Sequence, residues 1–85
     1  MADGIHVLVV DDDADVRGLL AAVLESNGGT KVTEAASGAE AMASLGHEEF
    51  DVAVVDLQLP DHSGLEILRW ARAAEVDTEL IVLTR

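Results

Sequence analysis

The sequence contains no cysteine, which excludes disulfide bonds and thiolate chemistry. Aromatic residues are also scarce, because Phe50 and Trp70 are the whole set, although 49% of the 85 residues are hydrophobic. A core built from this sequence must therefore be aliphatic and rich in alanine. We expect one small domain over residues 1–85, with a core whose size makes it only marginally stable.

Basic residues are few as well, with 5 Lys and Arg against 17 Asp and Glu and a formal net charge of -12. Such a surface repels nucleic-acid phosphates and anionic lipids, so we expect no direct nucleic-acid binding and no membrane binding by this chain. The first residues lack the basic and apolar regions of a signal peptide, and no apolar run reaches membrane-spanning length. These features predict a cytoplasmic protein. The acidity either serves solubility or brings some of the acids together around a divalent cation.

Short apolar runs alternate with amphipathic segments along the chain. We predict strands at residues 5–10, 30–35, 52–55 and 80–83, the second of them near a sheet edge. Helical periodicity follows Asp13, and two Ser-x-x-Glu capping boxes start further helices at Ser37 and Ser63. Glycines should end the first helix at residues 28–29 and the second at Gly46. The side chains expected to face inward from the first and third helices are Val16, Leu19, Leu20, Val23, Leu24, Leu65, Leu68 and Ala71.

This element order, βαβαβαβ, predicts an α/β fold. Strands that alternate with helices form a doubly wound parallel sheet with helices on both faces. Because crossover connections between parallel strands are right-handed, few topologies remain open.

Polar residues follow three of the four predicted strands. Asp11 and Asp12 come after the first strand, Asp56 after the third and Thr84 after the fourth. In an open parallel sheet, ligands bind beyond the carboxyl ends of the strands, where the strand order reverses. We therefore expect three carboxylates and one hydroxyl at the same rim.

Carboxylates that cluster repel one another, and a hard divalent cation such as Mg²⁺ relieves this repulsion. The same cation neutralises charge on a phosphoryl group in transfer, and a carboxylate beside it can form an aspartyl phosphate. Aspartates at strand ends also have a simpler interpretation as helix caps, and we favour that role for Asp13 and Asp15.

Three segments resemble the receiver domain of two-component response regulators: LVVDDD at 8–13, VVDLQLPDHSG at 54–64 and IVLT at 81–84. The resemblance implies a flavodoxin-like sheet with strand order 2-1-3-4. It also implies that the chain is a signalling module and not an enzyme, apart from catalysing its own phosphorylation and dephosphorylation. The partner implied is a sensor histidine kinase or phosphotransfer protein.

The resemblance assigns a role to each residue of the site. Asp56 accepts a phosphoryl group from a phosphohistidine. Mg²⁺ (or Mn²⁺) is held by Asp12 directly, by Asp11 through water, by Asp56 and by the backbone carbonyl of Gln58. Thr84 hydrogen-bonds a phosphoryl oxygen, and its inward shift is the family's switch. Gly64 helps to shape the loop after Asp56.

The sequence departs from the family pattern at its end. The family fold continues with a helix, a strand and a helix after the fourth strand, and that later strand carries an active-site lysine. The one lysine of this sequence is Lys31, which matches no motif, and Arg85 stands where the family has a small residue. Arg85 could partly cover the site or weakly replace the lysine.

These departures leave an alternative function open. The chain would then be a receiver fragment that acts only in binding or oligomerisation, without competent phosphotransfer. We expect the fourth strand to be an exposed apolar edge that supports a homo-oligomer.

Two other motifs fit less well. Asp11-x-Asp13 is also similar to haloacid-dehalogenase phosphatases, but Asp15 stands where their motif has Thr or Val. An EF-hand loop that starts at Asp11 would need glycine at position 16 and glutamate at position 22, where this sequence has Val16 and Ala22.

Overall fold

The computed structural model describes residues 4–26 and 28–84. Strands and helices alternate through these residues in the predicted order. Their bounds are β1 Ile5–Val10, α1 Ala14–Glu25, β2 Thr30–Ala35, α2 Gly38–His47, β3 Val52–Asp56, α3 Gly64–Ala73 and β4 Glu79–Leu83. Each strand agrees with its predicted range to within one residue.

The four strands form one parallel sheet in the order β2-β1-β3-β4. This confirms the predicted flavodoxin-like fold and the edge position of β2. β1 and β3 lie at the centre, where continuous apolar runs suit strands that are buried on both faces. Right-handed crossovers put α1 on one face of the sheet and α2 with α3 on the other, since the chain reverses direction across the sheet after β2.

The main core lies between the sheet and the α2–α3 pair. It is almost entirely aliphatic, as the composition predicts, and Phe50 is its one fully buried aromatic residue. Its buried members are Leu8, Val10, Ala35, Ala41, Leu45, Phe50, Ala53, Val55 and Ile67. These side chains hold β1 and β3 together and thereby fix the relative positions of the residues that follow them.

The helix starts are capped largely as predicted. The Asp13 carboxylate accepts hydrogen bonds from the N–H groups of Asp15 and Val16, and Ser63 forms a complete capping box with Glu66. In α2, the Ser37 hydroxyl accepts a hydrogen bond from the Glu40 N–H, as a capping box predicts. The Glu40 carboxylate, however, accepts from the N–H of Ala36 and not from that of the capping residue Ser37.

The predicted end of α2 at Gly46 is wrong, because the helix continues to His47. A glycine within a helix costs about 1 kcal/mol relative to alanine. The buried side chains of Ala41 and Leu45 dock the helix on the core and offset that cost.

Some side chains predicted to face inward are exposed. Leu19 and Val23 of α1 are 65% and 56% exposed, and Leu65 of α3 is 48% exposed. Leu65 is wrongly assigned because α3 packs through Ile67 and Ala71, and a residue two positions before Ile67 points to the far side of the helix. None of the helices in the described parts of the chain combines the length and the apolar character needed to cross a bilayer.

Candidate functional site

The candidate site lies at the carboxyl ends of β1 and β3. These neighbouring strands are where the sheet order reverses, which is the ligand-binding position in folds of this kind. Asp11 directly follows β1, and its N–H donates to the carbonyl of Ala35 (3.1 Å). Asp56 is the last residue of β3, and Leu57 then donates to the carbonyl of Leu83 (2.9 Å). Both aspartates are thus fixed by sheet-like backbone pairing.

Three carboxylates converge at this point. One carboxylate oxygen from each of Asp11, Asp12 and Asp56 lies within 4.8 Å of the other two. Asp11 and Asp56 are each only 5% exposed, whereas Asp12 is exposed. The backbone orients the two buried groups, because Asp13 N–H donates to Asp11 Oδ1 (2.9 Å) and Gln58 N–H donates to Asp56 Oδ1 (3.1 Å).

An open pocket of about 290 Å³ adjoins the carboxylates of Asp12 and Asp56. It is lined by Asp12, Asp56, Leu57, Gln58 and Thr84. The structure therefore brings Asp12, Asp56, Gln58 and Thr84 together around one space, with Asp11 buried beside Asp12. Asp56 borders this pocket, although only 5% of its surface is exposed.

The donor atoms of this cluster fit a hard divalent cation. All are oxygens, and their combined negative charge suits Mg²⁺ or Mn²⁺. Across residues 4–26 and 28–84, no other group of three or more potential metal ligands converges as closely. Asp13 and Asp15 stay outside the cluster, and Asp13 acts as the cap predicted for it.

The loop after Asp56 is shaped by Gly64. A Cβ atom at this position would lie 2.9 Å from the Asp56 carbonyl oxygen and 3.1 Å from Val82 Cγ1. A side chain there would push the start of α3 away from the end of β3. The Gly64 N–H also donates to the Leu57 carbonyl (2.7 Å), so the two ends of the loop are held together.

Sequence reasoning missed the role of Arg17. Its Nη1 donates to the backbone carbonyl of Asp11 (2.7 Å), and its Nε donates to Glu34 (3.0 Å). The guanidinium therefore links the residue that follows β1 to the edge strand β2. A usable signal was the position of Arg17 four residues after the Asp13 cap, where its own N–H donates to the Asp13 carbonyl at the start of α1.

Asp61 was missed too. Its Oδ1 accepts from the N–H of Gly38 (2.8 Å) and its Oδ2 from the N–H of Ala39 (2.9 Å). These N–H groups, Gly38 first, hold the pKa of the Asp61 carboxyl below its ordinary value. No local pattern marks this contact, since it depends on how α2 packs beside α3.

The basic residues considered for the site lie elsewhere or outside the described residues. Lys31 is exposed on β2. It is in register with His6 of β1, near the end of the sheet that lies opposite the aspartate cluster. Arg85 lies outside the described residues, so neither role suggested for it is tested.

Comparison with known proteins identifies the family to which this fold belongs. A family model described as "Response regulator receiver domain" matches residues 7–85. The transcriptional regulatory protein TrcR of Mycobacterium tuberculosis is 42% identical over 85 residues, which cover 98% of this chain and 33% of TrcR.

Two solved structures are similar as well. The Francisella response regulator 1452 receiver domain has a TM-score of 0.90 and 31% identity, over 95% of this chain and 66% of that one. Response regulator protein TrrA from Thermotoga maritima, in complex with Mg²⁺–BeF, has a TM-score of 0.87 and 32% identity, over 94% and 69% of the two chains.

The chain spans only part of the length of curated relatives that it matches, for example 38% of a putative transcriptional regulator and 29% of GltR, both from Pseudomonas aeruginosa. Those relatives include regulatory proteins and methylesterases of several bacteria. Within this chain, the family model matches all but the first six residues. The family match, the sheet order and the aspartate cluster agree, and the chain belongs to the response regulator receiver domain family.

Proposed function

We propose that the chain is a phosphoacceptor signalling module in which Asp56 receives a phosphoryl group. The donor is a phosphohistidine on a sensor histidine kinase or phosphotransfer protein. The observation that carries the proposal is the convergence of the Asp11, Asp12 and Asp56 carboxylates beside an open pocket at the strand-order reversal. We also propose that residues 1–85 belong to one receiver domain and that this domain acts in the cytoplasm.

The transfer needs only one nucleophile from this chain. A carboxylate oxygen of Asp56 attacks the phosphorus, a P–O bond forms, and the P–N bond to the donor imidazole breaks. The imidazole leaves as the neutral ring after taking up a proton from solvent. The Gln58 N–H orients the Asp56 carboxylate, and the Thr84 hydroxyl donates a hydrogen bond to a phosphoryl oxygen at the pocket rim.

The proposal includes a bound Mg²⁺ or Mn²⁺. Asp12, Asp56 and the Gln58 carbonyl would hold the cation directly, and Asp11 would hold it through a water molecule. When bound, the cation neutralises charge that develops on the transferred phosphoryl group. The related TrrA, whose fold superposes on 94% of this chain, has been solved in complex with Mg²⁺–BeF, which supports a divalent cation in a domain of this kind.

A second candidate function is binding without phosphotransfer. It is favoured by the position of Lys31, which is the one lysine of the sequence and lies away from the pocket. Under this alternative, the 85-residue chain would bind partners or copies of itself but would not react with phosphodonors.

Incubation with acetyl phosphate and Mg²⁺ distinguishes the two functions. We expect the intact mass to increase by one phosphoryl group, and the adduct to be lost on treatment with hydroxylamine, which cleaves acyl phosphates. The control omits the divalent cation. An unchanged mass at saturating Mg²⁺ and phosphodonor would favour the binding module.

Trp70 fluorescence is not a suitable reporter for this experiment. The ring lines a cavity with Phe50 and Asp51, just before the start of β3, whereas Asp56 ends that strand. The length of β3 alone places Asp56 about 16 Å from the end of the strand where the Trp70 ring lies.

We also propose that the 85-residue chain self-associates through β4. In the described sheet, β4 pairs only with β3, and its residues Ile81 and Leu83 are 47% and 42% exposed. They lie on the same face of the sheet as the exposed α1 residues Leu19 and Val23, because Ile81 is in register with Val54 and Val54 with Val9. An apolar edge of this kind can pair with a second copy.

Ile81→Lys is therefore expected to convert a dimeric chain to a monomer in size-exclusion chromatography with light scattering. Leu65→Lys is the matched control, since Leu65 is equally exposed but lies on α3, on the opposite side of the sheet. A wild-type chain that is monomeric at high concentration would contradict the proposed association.

A further inference from the structure

The loop between β3 and α3 contacts the first turn of α2. We call residues 57–63 the acceptor loop, because they follow the proposed acceptor Asp56. At its tip, the two oxygens of the Asp61 carboxylate bind the N–H groups of Gly38 and Ala39 at 2.8 and 2.9 Å. N–H groups in a first helical turn have no partner within their own helix. The acceptor loop therefore supplies the cap that Ser37, which binds the N–H of Glu40, leaves incomplete.

A second contact joins the same two segments. The ring of His62 lies directly on Gly38, where a Cβ atom would come within 2.7 Å of the His62 Cδ2 atom. Only glycine leaves room for this ring. The loop tip is thus held on α2 both by the Asp61 carboxylate and by close packing of the next residue.

Hydrogen bonds connect the loop tip with the candidate site. The Leu59 N–H donates to the His62 carbonyl (3.2 Å), and Gln58 and Ser63 form an antiparallel bridge. The Gln58 N–H in turn donates to Asp56 Oδ1 (3.1 Å). A continuous set of contacts therefore runs from α2 through Asp61 and the loop to the Asp56 carboxylate.

We propose that Asp61 is a positioning residue for the candidate site. By fastening the acceptor loop to α2, it sets the direction of the Gln58 carbonyl and the orientation of Asp56. Asp61 does not line the pocket and acts only through the loop. The inference rests on the proposed function for its effect on metal binding, although the loop geometry itself is independent of that function.

The rival explanation is that Asp61 merely stabilises α2 as any helix cap does. Asp51 provides a matched control for this explanation. Its Oδ2 accepts a hydrogen bond from the backbone N–H of His6 (2.8 Å) at the opposite end of the sheet. Asp51→Ala therefore also removes an exposed carboxylate and its bond to a backbone N–H, but leaves the acceptor loop intact.

The test measures Mn²⁺ affinity by electron paramagnetic resonance and amide hydrogen exchange by NMR in the 85-residue chain. Asp61→Ala is expected to weaken Mn²⁺ binding by about tenfold, the lower end of the effect of losing a group that orients a metal ligand. It should also accelerate exchange of the Gln58 and Leu59 amides. Asp51→Ala should change neither quantity by more than about twofold, although it destabilises the fold.

Two more variants test the same contact if Asp61→Ala fails to fold. Asp61→Asn keeps one amide oxygen and should have an intermediate effect on both readouts. Gly38→Ala keeps the carboxylate but displaces His62, and it should accelerate exchange of the Leu59 amide. Unchanged exchange at Gln58 and Leu59 in all three variants would overturn the positioning role.

The outcomes also separate this inference from the proposed function. If the wild-type chain neither binds Mn²⁺ nor reacts with acetyl phosphate, the proposed function fails, and amide exchange alone then decides whether Asp61 holds the loop. If the wild type does both and Asp61→Ala binds Mn²⁺ as tightly, the proposed function stands and the positioning role is overturned.

Discussion

The Asp56→Asn variant is expected to incorporate no detectable phosphoryl group from acetyl phosphate. The amide has nearly the shape of the carboxylate but lacks a nucleophilic oxygen, so the covalent route is closed. The β3 and loop contacts should persist, because an asparagine Oδ1 can still accept the hydrogen bond that Gln58 donates. Intact-mass spectrometry after a fixed incubation with Mg²⁺ measures the effect.

The same substitution should raise the free energy of unfolding when no divalent cation is present. It removes one negative charge from three carboxylates whose oxygens lie within 4.8 Å of one another, two of them nearly buried. Relief of this repulsion is of the order of 1 kcal/mol. Asp51→Asn is the control for charge alone, since Asp51 lies outside the cluster. A variant that is less stable than the wild type and still becomes phosphorylated would refute the assignment of Asp56.

The second large effect is expected for Asp12→Ala. Asp12 is the exposed member of the cluster and lines the pocket, so it is the carboxylate best placed to meet a cation from solvent. We expect Mg²⁺ affinity to fall by at least about a hundredfold, since losing even a group that only orients a ligand costs 10- to 100-fold. Isothermal titration calorimetry at constant ionic strength measures the affinity directly.

Asp13→Ala is the matched control for this prediction. Asp13 is the next residue, but its carboxylate caps α1 and does not belong to the cluster. Its removal should destabilise the fold by about 1 kcal/mol and leave Mg²⁺ affinity nearly unchanged. Equal losses of affinity in the two variants would mean that general acidity, rather than the Asp12 ligand, attracts the cation.

A stability measurement provides an independent check on metal binding. A cation that binds only the folded chain adds about 2.7 kcal/mol to the free energy of unfolding at a concentration one hundred times its dissociation constant. At the same cation concentration, the increment should fall to about 0.4 kcal/mol or less in Asp12→Ala, whose affinity is at least a hundredfold lower, and chelation should abolish it in the wild type.

Much of the fold could be predicted because its strongest signals are local. β1 and β3 are continuous apolar runs that end at aspartates, and the serines before α2 and α3 have glutamates three residues later. These patterns locate the strands to within one residue. Once the strands are parallel and adjacent, the residues that follow them must meet at one rim.

The errors arise where packing overrides local pattern. Gly46 does not end α2, because Leu45 is buried in the core and keeps the last turn in place. Leu65 looks like an inward residue by its spacing, but Ile67 and Ala71 define the buried face of α3. The contacts of Asp61 with α2 join residues 22 and 23 positions apart and depend on where two helices lie relative to each other. No periodicity within either segment contains that information.

The proposed function depends on a divalent cation that binds between the carboxylates of Asp12 and Asp56. Anomalous diffraction from crystals grown with Mn²⁺ tests it most directly. We expect one strong peak about 2.1 Å from an oxygen of Asp12, an oxygen of Asp56 and the Gln58 carbonyl. A well-ordered site without such a peak at saturating Mn²⁺, or a peak bound to other residues alone, would contradict it.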